Sequence, residues 1–134
     1  MKKPKKVQPT ARRYGSRKEV SPVFVSYMAS LEDFAKIARN CAIVQASSTG
    51  LLLHVEREDL IPISLKNNLS LECLVGDRIF LRLEDMNLEI SGVVARTKLL
   101  GKHGYHIAID YSEEAPEYWR ECLLELLPAP GELD

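Results

Sequence analysis

Three arginines near the start of the chain have side chains and a spacing suited to binding an anion. Arg12, Arg13 and Arg17 lie in the segment TARRYGSRK, and Arg13 and Arg17 are four residues apart. Residues at this spacing share one face of a helical turn, and they can also converge in a tight loop. A guanidinium is a planar fork that grips phosphate, bonds the O6/N7 edge of guanine and stacks on bases, whereas lysine is a point charge. The segment therefore predicts binding of phosphate or guanine, although this spacing also occurs by chance in many chains.

The charge of the chain is divided between a basic start and an acidic remainder. The 134 residues include 18 basic and 19 acidic ones, which gives a formal net charge of −1. Eight of the basic residues, and no acidic residue, lie within residues 1–18. A basic arm on an acidic body indicates an anionic partner for the arm. The alternative is that the four lysines between residues 2 and 6 form a solvated tail that only keeps the protein in solution.

Composition and cysteine usage exclude several classes of protein. A hydrophobic fraction of 46% with 28% charged residues is typical of a globular domain. No apolar run is long enough to span a bilayer, and no apolar segment follows the basic start as it would in a secretory signal. We therefore expect a cytoplasmic protein without membrane insertion. Cys41, Cys73 and Cys122 are odd in number and widely spaced, so we expect buried thiols rather than disulfides or zinc ligands.

No catalytic arrangement is evident in the sequence. His54, His103 and His106 lack the companions of an H-x-x-x-H or C-x-x-C pair. Ser47 and Ser48 precede a glycine, but ASSTG lacks the first glycine of a nucleophile elbow. The chain also contains no Walker-type phosphate loop. We therefore expect a binding module that is not an enzyme and has no catalytic residues, metal site or cofactor.

Short stretches rich in β-branched and aromatic residues, separated by turn signals, predict a protein built mostly of strands. The clearest is YHIAIDY, in which Tyr105, Ile107, Ile109 and Tyr111 occupy alternate positions, as one face of a strand requires. A polar Ser-Ser-Thr-Gly turn that ends at Gly50 joins two further strands. The six predicted strands are VSPVFVSYM, CAIVQA, GLLLHV, RIFLRL, NLEISGVVARTKLL and YHIAIDY.

Two segments have the period of a helix instead. SLEDFAKIAR predicts a short inserted helix, because Ser30 and Asp33 resemble a capping box and the apolar residues share one face. APEYWRECLLELL predicts a C-terminal amphipathic helix that has Pro116 in its first turn and prolines after its end. Its apolar stripe consists of Trp119, Cys122, Leu123, Leu126 and Leu127.

These elements predict an all-β-dominated fold, a small six-stranded antiparallel β-barrel with a short inserted helix and the C-terminal helix packed against one mouth. Strands and helices do not alternate, which argues against a parallel nucleotide-binding sheet. We expect a flexible basic arm in residues 1–11, a single domain in residues 12–130 and a short tail in residues 131–134.

A second motif makes the arginine segment more specific. QASSTG, residues 45–50, has the form x-x-Ser-x-x-Gly at the end of a strand and follows Arg13 and Arg17 with one predicted strand between. This order resembles the PilZ domain family, bacterial receptors for cyclic di-GMP, whose signature is R-x-x-x-R on an N-terminal arm followed by [D/N]-x-S-x-x-G on a barrel. The resemblance covers residues 12–127. The later segments that share it are LVGDRIFLRL, LEISGVVAR and GYHIAIDY.

The resemblance implies a ligand-binding role for each matched residue. Arg13 and Arg17 would hold the guanine edges and phosphates of cyclic di-GMP. Ser47 would hydrogen-bond the ligand, and Gly50 would let the ligand approach the backbone. Arg12 stands just before the first motif arginine, where a basic residue in the family often accompanies binding of an intercalated ligand dimer.

Two further positions qualify this site. Arg96 stands where many family members have an aromatic or basic residue facing the ligand, so we expect it to stack on a base. Gln45 departs from the Asp or Asn of the family. A carboxylate accepts from guanine N–H groups with charge assistance, at ~1.5–3 kcal/mol per bond, whereas glutamine offers a neutral carbonyl on a longer stem. Losing one such bond would weaken binding about tenfold without abolishing it.

The sequence therefore predicts a single-domain PilZ receptor that binds cyclic di-GMP and signals to a downstream protein in motility or biofilm regulation. The alternative, favoured by Gln45, is a degenerate PilZ adaptor that acts in motility or pilus assembly through protein contacts and binds no nucleotide. A third hypothesis is that the arm binds nucleic acid through charge alone, without sequence specificity. The inserted helix would offer a surface for a partner.

Overall fold

Strands dominate the part of the chain that the structure describes. The computed structural model describes residues 17–31, 36–67, 70–102 and 104–129. Its strands are β1 (Lys18–Ser30), β2 (Lys36–Ala46), β3 (Gly50–Glu56), β4 (Arg78–Leu83), β5 (Leu88–Leu99) and β6 (Gly104–Asp110). They form a closed antiparallel barrel in the spatial order β1-β2-β3-β6-β5-β4. The predicted six-stranded antiparallel barrel is thus confirmed.

Alternate residues of each strand fill the inside of the barrel. Tyr105, Ile107 and Ile109 of β6 are at most 1% exposed, and Tyr111, just beyond the strand, is fully buried. Each such side chain stabilises the fold by about 1.5–3 kcal/mol through removal of apolar surface from water. The period-two prediction for this segment is confirmed. The inward residues of the neighbouring strand β3 are Leu51, Leu53 and Val55.

The inserted helix that we predicted for SLEDFAKIAR is wrong. Ser30 is the last residue of β1, and residues 36–39 belong to β2, where Ile37 and Ala38 are buried in the core. Met28 pairs with Ala38 in the antiparallel ladder, so hydrogen bonding across the hairpin outweighs the local helical pattern. Residues 32–35, which include the predicted cap partner, lie outside the described residues. The partner surface that we assigned to this helix is withdrawn with it.

Short helical segments lie elsewhere in the chain. A one-turn helix, α1 (Ile63–Lys66), follows β3, and it is the short helix of the fold. Three 3-10 turns occupy Arg57–Asp59, Glu72–Leu74 and Glu84–Met86. No helix within the described ranges is long and apolar enough to cross a membrane.

The C-terminal helix α2 (Glu117–Leu126) forms as predicted, but its buried stripe is narrower. Leu123 and Leu127 are buried in the barrel core, and Trp119 packs against it. These residues are spaced by four, so they form a single row along the helix. Leu126 is 66% exposed and Cys122 is exposed as well, so the prediction for these two is wrong.

The start of β1 and the end of α2 are hydrogen-bonded to each other. The Lys18 ammonium donates to the carbonyl of Leu124 at 3.0 Å, and the amide of Ser21 donates to the carbonyl of Pro128 at 2.8 Å. A cation at the last turn of a helix also complements the helix dipole. The helix is therefore fixed beside the point at which the N-terminal residues 1–16, which lie outside the described ranges, join the barrel.

The three cysteines differ in environment. Cys41 is 1% exposed on β2, and burial raises the pKa of its thiol to about 12. Cys73 and Cys122 are exposed, so our expectation of buried thiols is wrong for these two. All three are free thiols.

Thiol labelling should distinguish these environments. At pH 8 we expect an aromatic disulfide reagent to modify Cys73 and Cys122 rapidly and Cys41 only after unfolding. The thiolate is the reactive form of cysteine, and the buried Cys41 thiol keeps its proton at this pH. The released chromophore measures the number of reactive thiols before and after denaturant is added. A Cys41→Ser variant should keep both rapid reactions, and a third rapid reaction in the wild type would contradict the buried position of Cys41.

Candidate functional site

The predicted site residues that the structure describes lie along one end and one outer face of the barrel. Arg17 precedes β1, and Gln45 lies near the end of β2. Ser47 follows β2 and Gly50 begins β3, so the predicted turn between them is confirmed. Arg12 and Arg13 lie outside the described residues, and their roles stay predictions. Arg96 is an exposed residue of β5; its position is described below.

Gln45 bridges a cation and an anion. The Arg17 guanidinium donates to Gln45 Oε1 at 3.5 Å, at the long limit of a hydrogen bond, and Gln45 Nε2 donates to Glu19 Oε2 at 2.6 Å. Glu19 faces Gln45 directly because the two are partners in the β1–β2 ladder. The amide orientation satisfies both neighbours, with its carbonyl toward the donor and its NH₂ toward the carboxylate. We did not predict Glu19 as a site residue from the sequence.

Ser47 organises the turn that follows. Its Oγ accepts from the amides of Thr49 at 3.2 Å and Gly50 at 3.1 Å, and the backbone N–H of Ser47 donates to the carbonyl of Gly50 at 2.8 Å. A serine hydroxyl can accept two hydrogen bonds and donate one. Both acceptor positions are used inside the turn, and the hydroxyl has only long contacts for its proton, to the Gly50 carbonyl at 3.5 Å and to Thr49 Oγ1 at 3.3 Å.

Two side chains from the far end of the sequence hold this turn against the barrel. The Tyr111 hydroxyl donates to the carbonyl of Ser47 at 2.9 Å, and the Arg120 guanidinium of α2 donates to the carbonyl of Ser48. Burial raises the pKa of Tyr111 to about 12, against a smaller lowering effect of Arg120, so the phenol keeps its proton. From the sequence we predict Tyr111 only as a strand residue, and Arg120 has no predicted role.

Gly50 is required by the packing of β3 on β6. A Cβ built on Gly50 would lie 2.9 Å from the carbonyl oxygen of Ile109. No side chain fits at that distance from a backbone atom without a shift of one strand. The glycine of the motif thus has a structural reason that is independent of any ligand.

A continuous row of residues crosses the outer face of four strands. Gln45 pairs with Leu52, Leu52 with Ala108, and Ala108 with Arg96. Leu52 and Ala108 are half-buried and form an apolar floor between the polar ends of the row. With a strand spacing of about 4.8 Å, Gln45 and Arg96 are roughly 14 Å apart. Arg96 therefore does not touch Gln45, but it lies on the same face at the other end of the floor.

Basic side chains border the floor on one side. The next row of outward-facing residues beside the floor contains His54, His106 and Lys98. In it, His106 of β6 pairs with His54 of β3 on one side and with Lys98 of β5 on the other. The rings of His54 and His106 meet edge to face with centroids 5.6 Å apart, and His54 Nε2 lies 2.5 Å from Glu56 Oε2. Burial, followed by the charges of His54 and Lys98, lowers the pKa of His106. Within the described ranges no cluster of three metal-ligating side chains is present.

Replacement of Gly50 should destabilise the fold. We expect Gly50→Ala to lower the free energy of unfolding by about 1–3 kcal/mol, because its methyl group would overpack against the Ile109 carbonyl. Urea denaturation followed by circular dichroism measures the change. Thr49→Ala, an exposed position in the same turn, is the matched control and should cost less. Equal midpoints for the two variants would contradict the close packing of β3 on β6.

The electrostatics of the basic border can be measured by NMR. We expect the His106 ring to titrate below its ordinary pKa of 6.5, and Lys98→Gln to raise that midpoint because one neighbouring cation is removed. The unfolded chain binds this proton more readily than the folded one, so His106 lowers stability as the pH falls below 6.5. Lys102→Gln, in the turn after β5, is the charge-matched control. A midpoint at or above 6.5 in the wild type would contradict this environment.

No protein-family model matches the chain, and no curated protein sequence matches it. Among solved structures, the chain is similar to the Bacillus subtilis inhibitor of motility (MotI/DgrA), with a TM-score of 0.50 and 18% sequence identity. The match covers 87% of this chain and 49% of that chain, so this protein spans about half the length of that structure. At such identity the likeness is one of fold.

Proposed function

We propose that this protein is a cytoplasmic receptor for cyclic di-GMP that signals to a downstream protein. One observation supports the proposal most strongly: the fold brings Arg17 and Gln45 beside the Ser47–Gly50 turn, although 28 residues separate Arg17 from Gln45 in sequence. From this corner an apolar floor leads across the barrel toward Arg96. Cations and donors thus flank an apolar surface, which suits a molecule with two phosphates and two purines.

Each part of the site has a separate task in this proposal. Arg13 and Arg17 bond the O6/N7 edges of guanine and the phosphates, since a guanidinium matches both geometries. A purine face lies on the floor formed by Leu52 and Ala108, where it is removed from water. Arg96 stacks on a base at the far end of the floor. The Ser47 hydroxyl donates its proton to a phosphate or a sugar oxygen in place of its long contacts within the turn.

The ligand would also act on the arm. Arg12, Arg13 and Arg17 repel one another, and the two negative charges of cyclic di-GMP would offset this repulsion and hold the arginines on the barrel. With Arg12 beside the motif, an intercalated dimer of the ligand doubles the negative charge that the arm receives. Ordering of the arm over the barrel changes the surface that a downstream protein meets, and this couples folding to binding. The likeness to a protein named for inhibiting motility favours motility as the regulated process.

The rival proposal is an adaptor that works through protein contacts and does not bind the nucleotide. Gln45 favours it, because its amide is already engaged by Arg17 and Glu19. Under this proposal the site residues serve only to hold the arm against the barrel. The two proposals differ in whether the protein binds cyclic di-GMP at all. Neither one requires catalysis, membrane insertion or specific nucleic-acid binding.

Titration calorimetry with cyclic di-GMP tests the receptor proposal. We expect binding at micromolar ligand, and an Arg13→Ala/Arg17→Ala double variant should bind about a hundredfold more weakly, because charge-assisted hydrogen bonds are worth ~1.5–3 kcal/mol each. Lys5→Ala/Lys6→Ala removes two cations from the same arm outside the motif and is the matched control.

Two outcomes would contradict the receptor proposal. Absence of binding would favour the adaptor. Equal losses in the two double variants, with a steep dependence on salt, would indicate attraction by charge alone, as in non-specific nucleic-acid binding.

A further inference from the structure

Glu19 places a carboxylate in a site that otherwise suits an anion. It is exposed, it lies two residues after Arg17, and it accepts a hydrogen bond of 2.6 Å from Gln45 Nε2. A negative charge at this position repels phosphate, so by itself it weakens capture of a dianion. Its other oxygen, Oε1, has no partner among the described residues. An exposed carboxylate oxygen held beside an arginine can accept hydrogen bonds from a ligand group that donates them.

Gln45 keeps the two opposite charges apart. Its carbonyl is directed to Arg17 and its NH₂ group to Glu19, and the ion pairs within the described ranges do not include one between Arg17 and Glu19. A direct pair would use the guanidinium donors and the carboxylate oxygens on each other. Because the neutral amide stands between them, neither group has a charged partner among the described residues.

Guanine offers complementary groups on two adjoining edges. Its O6 and N7 accept the bonds that an arginine donates, while its ring N1–H and exocyclic N2–H₂ are donors. A carboxylate accepts from both donors at once, and the bonds are charge-assisted. The carbonyl of Gln45 is directed to Arg17 instead, so Glu19 is the charged acceptor next to that arginine.

We propose that Glu19 accepts hydrogen bonds from the N1–H and N2–H₂ groups of guanine and that Gln45 is the positioning residue that holds its carboxylate. The inference rests on the proposed function, since it concerns the same nucleotide and the same site. It identifies guanine, rather than phosphate, as the group at the Arg17 end of the row. It also explains how binding persists when residue 45 is not itself an acid.

A purely structural role for Glu19 predicts a different result. An exposed hydrogen bond between β1 and β2 adds modestly to the stability of the fold and has no connection with the base of the ligand. Glu19→Gln would then lower the midpoint of unfolding slightly and leave ligand affinity unchanged.

The main test measures the affinity of the full chain for two ligands by titration calorimetry. We expect Glu19→Gln to weaken binding of cyclic di-GMP about tenfold. Cyclic di-inosine monophosphate lacks the exocyclic N2 group, so the same substitution should cost less with this analogue. Glu121→Gln, on the exposed side of α2, removes an equal charge away from the site and should leave both affinities unchanged.

A charge exchange tests the positioning role of Gln45. Gln45→Asp places a carboxylate opposite Glu19, and like charges at facing positions of a ladder destabilise each other. We expect this variant to bind more weakly than the wild type. The double variant Glu19→Gln/Gln45→Asp again has one carboxylate and one amide, so it should recover most of the affinity and give a clear coupling energy in the double-mutant cycle.

The outcomes separate the two proposals. If the wild type binds cyclic di-GMP and Glu19→Gln binds it equally well or more tightly, the inference about Glu19 is overturned and the receptor remains. If the loss is the same with the inosine analogue, Glu19 does not contact the N2 group, and the inference is likewise overturned. If the wild type does not bind cyclic di-GMP, both proposals fall.

Discussion

The fold depends on closure of the barrel by β1, which pairs with β2 along one side and with β4 along the other. Closure removes the exposed edges of the sheet and encloses the apolar side chains of all six strands. It also fixes the place of the residues just before and within the start of β1. Arg17 and Glu19 reach Gln45 because the β1–β2 ladder sets Glu19 opposite Gln45. The candidate site is therefore a product of the same hydrogen bonds that close the barrel.

The turn between β2 and β3 depends on contacts from the end of the chain. Ser47 satisfies the amides inside the turn, whereas Tyr111 and Arg120 bond its outward carbonyls. A polar turn at a barrel mouth would otherwise rely on water for those carbonyls. The site thus combines segments from the beginning, the middle and the end of the sequence, and its geometry exists only in the complete fold.

The sequence predicted the strands better than it predicted the site. Alternation in YHIAIDY and the polar residues of the Ser-Ser-Thr-Gly turn are local signals, and the structure confirms both. The error over SLEDFAKIAR has a physical cause, because its apolar spacing fits a helix as well as a strand, and the partner that decides is β1. Glu19 was missed for a similar reason. Glu19 pairs with Gln45 in a ladder that is irregular between Glu19 and Val23. The spacing of residues in the sequence does not reveal that irregularity.

The hydrogen bonds of α2 have a consequence for its exposed side. Arg120 connects the helix to the β2–β3 turn, and the carbonyl of Leu124 receives Lys18 from the start of β1. The helix is thus hydrogen-bonded both to the β2–β3 turn and to the residue that follows Arg17. The helix therefore lies against both the start of β1 and the β2–β3 turn, and its exposed side carries Tyr118 and Leu126. A protein that contacts these two side chains would meet an element hydrogen-bonded directly to the corner of the barrel where Arg17 lies.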